Sequence, residues 1–347
     1  MMKTLQIDVL IRIEKSNLNS QLTEGNITTL KKFKDVDGRE YIYVSATSVK
    51  YWLKERMNEL IPEIWKNDKN SPRISKPEKS EVLYTPAKPI TYIDADLFGY
   101  LDARNNKKRY APIKFSGLIS LYPYQGDIDF GVRYDPEGTE HTLHHIEITS
   151  NLFRGTWMIL LDWIGRFISQ NMNEEAEKLN NIKDSNLKIG LNEFSVKELP
   201  IEERRKRLKL FLKALFTMQH FTKQTNLLTD TQPRFAMITL TKVAKPVIFD
   251  RLSATIENKN GKKVIVFKED HEKSLKEAIL QHKDIIEKIV IVYDPATVEL
   301  PNIIEKKNNK YIIKLDNSKE MDIDVKTISE FLEENNLEGF VNEVIKT

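Results

Sequence analysis

With 347 residues, 40% of them hydrophobic, the chain is long enough for one large domain or two modest ones with a sizeable core. Its 54 Lys and Arg barely exceed its 51 Asp and Glu, so the net charge of +3 does not mark a nucleic-acid binder, and any such role must come from local clustering. The lack of cysteine excludes disulfides, zinc–thiolate sites and a thiol nucleophile, and it suits a reducing cytoplasm, where the protein is expected to reside.

At the N-terminus Gln6, Asp8 and Arg12 interrupt the apolar residues, so no export signal is read, and no run of about 18 apolar residues suggests a membrane span. Residues 4 to 13 alternate, with Leu5, Ile7, Val9, Ile11 and Ile13 on one side, which predicts a half-buried strand. A polar segment with Gly25 and the turn DVDGRE follow, then a short extended run over 41 to 44. Ser45 is placed to cap a helix in which Val49, Trp52, Leu53, Met57 and Leu60 recur at spacings of three and four.

From Pro62 to Pro112 prolines are frequent and periodicity is poor, which predicts an insertion that is partly loop. Residues 113 to 123 return to strand composition, and 144 to 167 begin another extended segment. The turn-rich stretch between them reads as a protruding hairpin or arm. Pro200 opens the clearest helix, with an apolar stripe of Leu208, Phe211, Leu212, Leu215 and Phe216 opposite Arg204, Arg205, Lys206, Arg207, Lys209 and Lys213. From about residue 251, strand-like runs (264 to 267, 289 to 292, 311 to 315) alternate with Lys- and Glu-rich helical runs that carry no functional signature. The element order predicts an α+β sheet domain with excursions.

Nucleotide and zincin motifs (GxGxxG, GxxxxGK, HExxH, GxSxG) are absent, and no cofactor or metal is expected. Asp94 with Asp96, and Asp127 with Asp129, would each present two carboxylates on one side of a strand, as magnesium prefers; solvated loop aspartates are the preferred reading. His141, His144 and His145 have no assignable carboxylate partner and are read as structural.

The stretch YVSATSVKYWLK carries more chemistry. A helix capped at Ser45 presents free amides and the positive end of its dipole, a seat for phosphate. Thr47 and Ser48 add hydroxyls, and Lys50 and Lys54 share a face one turn apart; the alternative is an ordinary amphipathic helix with solvated lysines. The basic run from Arg204 to Lys213 is read as a wet face rather than a binding stripe. The loop with Lys223 and Gln224 could touch phosphate or sugar.

The order of these segments, VSATSVKYWLK, GDIDF, FRGTW and TKQTN, resembles the backbone subunit of type I CRISPR effector complexes (Cascade), in the DevR-type (type I-B) branch of the RAMP superfamily, over about residues 3 to 245. The resemblance implies an RRM-like (ferredoxin-like) palm of antiparallel sheet over 1–60 and 113–250. It also implies a helical fingers insertion over 61–112, a β-hairpin thumb over 124–148, and a C-terminal extension over 251–347 of unknown role. It further implies a non-catalytic scaffold in antiviral defence whose partners are crRNA, target DNA through the guide, copies of itself along a helical filament, and other Cascade subunits.

Under the resemblance, Ser45, Thr47, Ser48, Lys50 and Lys54 would contact guide phosphates and sugars, joined by Lys223 and Gln224. Arg154 is a further candidate, with a structural ion pair as the alternative. The arm is acidic, with Asp127, Asp129, Asp135, Glu137, Glu140 and Glu147 against a lone Arg133. It is therefore expected to act by wedging, through Ile128, Phe130, Val132 and Tyr134, rather than by charge. Related type III subunits cut RNA with a loop aspartate, for which Asp35 and Asp37 are the counterparts and a metal-dependent ribonuclease the alternative function; the turn signal explains both as Asx-turn residues.

Overall fold

A computed structural model describes residues 3–24, 27–61, 73–75, 87–103, 105, 107–133, 142–167, 190–191, 197–219, 227–316 and 319–346. The chain begins with β1 (Thr4–Ser16), β2 (Ser20–Glu24), β3 (Ile27–Leu30), β4 (Lys32–Lys34) and β5 (Glu40–Val44), then helix α1 (Ala46–Leu60). Next come α2 (Ile93–Phe98), β6 (Tyr100–Asp102), β7 (Lys107–Arg109), β8 (Ile113–Phe115), β9 (Leu118–Ser120), β10 (Ile128–Arg133), β11 (Thr142–Glu147) and β12 (Thr149–Leu160). Three short strands, β13 (Arg166–Phe167), β14 (Gly190–Leu191) and β15 (Lys197–Glu198), lead to α3 (Ile201–Phe216) and β16 (Phe235–Thr241). The C-terminal part holds β17 (Thr255–Lys259), β18 (Lys262–Val266), α4 (Glu269–His282), β19 (Ile286–Tyr293), β20 (Ile304–Lys307), β21 (Lys310–Asp316), β22 (Lys319–Thr327), α5 (Ile328–Leu332) and α6 (Glu334–Val344).

One large sheet organises the molecule, in the order β20-β21-β22-β19-β16-β1-β12-β9-β5-β4, with β8 also on β12. The run β16-β1-β12-β9-β5 is antiparallel throughout, with α1 between β5 and β9 in sequence and α3 between β12 and β16. Both helices pack side by side on one face. They bury the residues their periodicity marks: Val49, Trp52, Leu53 and Met57 from α1, and Leu208, Phe211, Leu212, Leu215 and Phe216 from α3. Trp157 of β12 stacks on Phe115 at 3.8 Å and meets Phe211 edge-on at 5.4 Å, tying sheet to helix. Each such side chain contributes roughly 1.5–3 kcal/mol relative to exposure.

Strand β1 differs from its expectation. It is buried on both faces, Gln6, Asp8 and Leu10 included, because a second core formed with residues from 247 onward covers the face that alternation marked as wet. Of the C-terminal strands, β17 and β18 pair with each other as a separate hairpin, while β19 pairs with β16 and β22 runs parallel to β19. A strap over 247–250 crosses that face, with the Val247 amide donating to Gln6 Oε1 at 2.6 Å and the Phe249 amide to Asp8. Asp8 also accepts from Gln6 and Thr156, yet burial pushes its carboxyl up to about 7.

The segment after β1 is another correction. The part read as a polar loop forms β2, β3 and β4, and β3 pairs in parallel with β11. The β10–β11 hairpin thus belongs to a four-stranded sheet, β10-β11-β3-β2. Among the described residues of 61–112, the expected helical insertion consists of one short helix, α2, and the β6–β7 hairpin.

Candidate nucleic-acid interface

Ser45 follows β5 in extended geometry (φ −61°, ψ 147°), and its hydroxyl accepts the Ser48 amide at 3.3 Å while its carbonyl accepts the Val49 amide at 3.2 Å. Ser48 Oγ lies 2.9 Å from Ser45 Oγ and donates to Asn19 Oδ1, and Asn19 Nδ2 reaches the Tyr43 carbonyl. Two hydroxyls thus hold the cap, and the amides of Ala46 and Thr47 have no partner among the described residues. Thr47 is exposed, and no acidic residue occupies the first turn. Gly117, at φ +84°, lets the β8–β9 turn press on this junction; a Cβ there would sit 2.8 Å from the Val44 carbonyl.

The two lysines of α1 have separate fates. Lys54 pairs at 3.0 Å with Asp94, a fully buried carboxylate that also accepts the Ser75 amide and hydroxyl, so Lys54 neutralises an interior charge. Lys50 has no acidic partner among the described residues; its ammonium lies 5.9 Å from the Phe98 ring centroid. Burial, and then the neighbouring Lys54, lower its pKa below the ordinary lysine value. A half-buried, uncompensated cation and an open helix start each favour an anion, and α1 carries both within its first two turns.

The basic run on α3 is split: Arg204 and Arg207 are buried, Arg205, Lys209 and Lys213 are partly exposed, and Lys206 faces solvent. Arg207 is fully buried and donates to Glu203 (3.0 Å), Asp96 (2.8 Å) and the carbonyls of Pro89 and Ile90. Arg204 bonds Glu198 and the Ile164 carbonyl, and Lys209 and Lys213 both pair with Glu334 of α6. Those lysines hold the Glu334 carboxyl down to about 2. Asp94 and Asp96 lie on a helix rather than a strand; Asp96 takes Arg207, Arg109 and the Gly165 amide, so neither aspartate is poised for a metal. No group of three metal-ligating side chains occurs among the described residues.

On β10, Ile128, Phe130 and Val132 point outward, 50%, 58% and 49% exposed, and Phe130 meets His145 edge-on at 5.0 Å. Glu147 anchors the base of the arm, accepting the Leu30 amide and Lys32 Nζ, each at 2.7 Å. Asp129 lies 3.6 Å from Lys15. Adjacent His144 and His145 on β11 face opposite sides. Arg154 sits within β12 rather than at a strand end, and donates to the Asp250 carbonyl at 2.5 Å. Asp37 accepts from the Arg39 amide and guanidinium and from the Tyr41 hydroxyl, which lowers its pKa and leaves it a turn residue; Asp35 accepts the Val36 amide. Lys223, Gln224, Tyr134 and His141 lie outside the described residues.

Two features escaped sequence reasoning. Asn19 lies in a segment read as polar loop and supports the α1 cap. Phe33, Tyr41 and Tyr43 form a partly exposed aromatic cluster on the β4–β5 hairpin, with ring centroids 6.1 Å apart for both Phe33–Tyr41 and Phe33–Tyr43. The alternating aromatics flanking the DVDGRE turn were the available signal.

The α+β architecture and this arrangement define a sheet protein with a second, four-stranded sheet and a helix whose first amides are open. Solved structures share the fold, including two chains of CRISPR complexes. One is a chain of a CRISPR RNA-guided surveillance complex, 13% identical, TM-score 0.51, covering 85% of this chain and 90% of that one. The other is a chain of such a complex in a pre-nicking state, 13% identical, TM-score 0.52, covering 86% and 93%. No curated protein matches the chain. The family model for the CRISPR-associated negative auto-regulator DevR/Csa2 matches residues 7–260, and the chain belongs to that family. No helix among the described residues is long and apolar enough to cross a membrane.

Proposed function

We propose that the chain is a non-catalytic scaffold that binds the sugar–phosphate backbone of crRNA and oligomerises along it in a type I CRISPR Cascade complex, leaving guide bases to pair with target DNA. The observation that carries this reading is Lys50, a half-buried cation without an acidic partner among the described residues, in the second turn of the helix whose first amides are open. Backbone amides, Thr47 and Lys50 recognise phosphate without regard to base, as a guide of variable sequence requires. Lys54 acts at one remove, by neutralising Asp94.

The antiparallel order β16-β1-β12-β9 with two helices on one face supports an RRM-like palm. The exposed row Ile128, Phe130 and Val132 supports a thumb that wedges between bases of a strand held by a neighbouring copy. The bonds that occupy Asp37 support the non-catalytic assignment.

Filter binding of single-stranded RNA across a salt series tests the reading. Affinity should fall steeply with salt and depend little on spacer sequence, and Lys50→Ala should flatten the log–log slope by about 0.7. An unchanged slope removes Lys50 from the interface, and Mg²⁺-dependent cutting of complementary RNA that Asp37→Ala abolishes would replace the scaffold by a nuclease.

A further inference from the structure

We infer that the aromatic cluster of Phe33, Tyr41 and Tyr43 is a base-stacking site for single-stranded RNA, adding a base contact to the phosphate contacts at the start of α1. This rests on reading that helix start as a phosphate seat. Along β5, Ile42 and Val44 enter the core under α1, so the pleat directs Tyr41 and Tyr43 to the opposite face of the sheet. Phe33, paired with Tyr41 across the hairpin, joins them there and is the ring shared by both aromatic contacts.

The cluster is held in place before any ligand arrives. The Tyr41 hydroxyl donates to Asp37 at 3.0 Å, and Arg39 lies 2.6 Å from the same carboxylate, so this acid is already neutralised. Tyr43 is fixed through its carbonyl by Asn19, the residue that also supports Ser48. Tyr43 precedes the Ser45 cap by two residues, about 7 Å along a strand. A chain whose phosphate rests on the amides of Ala46 and Thr47, where α1 leaves the end of β5, would pass round that end to bring a neighbouring base to the cluster on the far face.

The same face explains why the base lands here. Its β1 and β12 portion is closed by the strap, through Val247 to Gln6, Phe249 to Asp8 and Arg154 to Asp250. The register row Tyr43–Ile119–Arg154 crosses from β5 through β9 to β12, so the backbone of Arg154 lies two strand spacings, about 10 Å, from that of Tyr43 and its guanidinium bonds the strap. Every base has a π-face, so stacking adds affinity while tolerating any guide sequence.

The test measures binding of the purified chain to a short single-stranded RNA and to an abasic oligonucleotide of equal length and backbone. Wild type should prefer the base-bearing strand by about five- to tenfold. Phe33→Leu, which keeps apolar bulk but loses the ring, should abolish that preference with the salt slope intact, and Phe33→Trp should retain it. If wild type binds both strands equally, the stacking site is wrong while the phosphate seat stands. If neither strand binds, both readings fall. A preference that survives Phe33→Leu assigns the base contact to other residues and overturns this one, as does a Phe33→Leu variant that loses only self-association, which makes the cluster a protein contact.

Discussion

Two helices carry basic residues that look alike in sequence, yet the chain uses them in opposite ways. On α3, Arg204 and Arg207 are buried among Glu198, Glu203, Asp96 and backbone carbonyls, and Lys209 and Lys213 are taken by Glu334. On α1, Lys54 is consumed by Asp94 while Lys50 is left desolvated beside its twin. The denser run is the structural one. A lysine or arginine marks a binding surface by the acid it lacks, and a count of positive charges along a helix does not report that.

The largest effect that probes this contrast is on stability. Arg207→Met leaves Asp96 and Glu203 buried with one cation fewer, and unfolding in urea should register a loss of about 3–5 kcal/mol. The RNA salt slope of the folded fraction should stay at its wild-type value. A loss under about 1 kcal/mol would mean that the buried network is not what holds residues 89 to 96 to α3, and the distinction between the helices would weaken.

A smaller effect is expected at the exposed end of the same helix. Lys209→Ala combined with Lys213→Ala removes the pairing to Glu334, whose side chain is 59% exposed, so the cost should be about 0.5–1 kcal/mol. RNA binding and its salt dependence should not change. A slope that flattens as far as in Lys50→Ala would turn α3 into part of the interface and undo the comparison.

What sequence reasoning could reach follows the same division. Local signals were legible: the Ser45 cap, the apolar spacings of α1 and α3, the extended run of β1 and the hairpin that carries Ile128, Phe130 and Val132 all reflect residues close in sequence. Long-range pairings were not. Strands β2 to β4 are short and polar and exist because β11 and β5 supply their partners. The wet side of β1 is dry because a strap from residue 247 onward lies on it, and β19 extends the sheet rather than starting a new one. YIDADLF reads equally as a short strand or a short helix, and burial of Asp94 and Asp96 against Lys54 and Arg207 selects the helix. The difference between Lys50 and Lys54 rests on that remote contact, so no local pattern could have separated them.

The smallest effect reads the state of Lys50 directly. Its pKa lies below the ordinary lysine value because burial and Lys54 disfavour the charged form, and a bound phosphate favours that form. Free protein therefore loses the proton at lower pH than the complex does, and binding above neutrality takes a proton up. Affinity for RNA should fall as pH rises from neutrality through the lowered pKa, at constant salt. Lys50→Arg keeps the cation charged over that range and should make the profile flat. A wild-type profile that is already flat would mean that the ammonium does not meet the phosphate, and the contrast between the two helices would then concern folding alone.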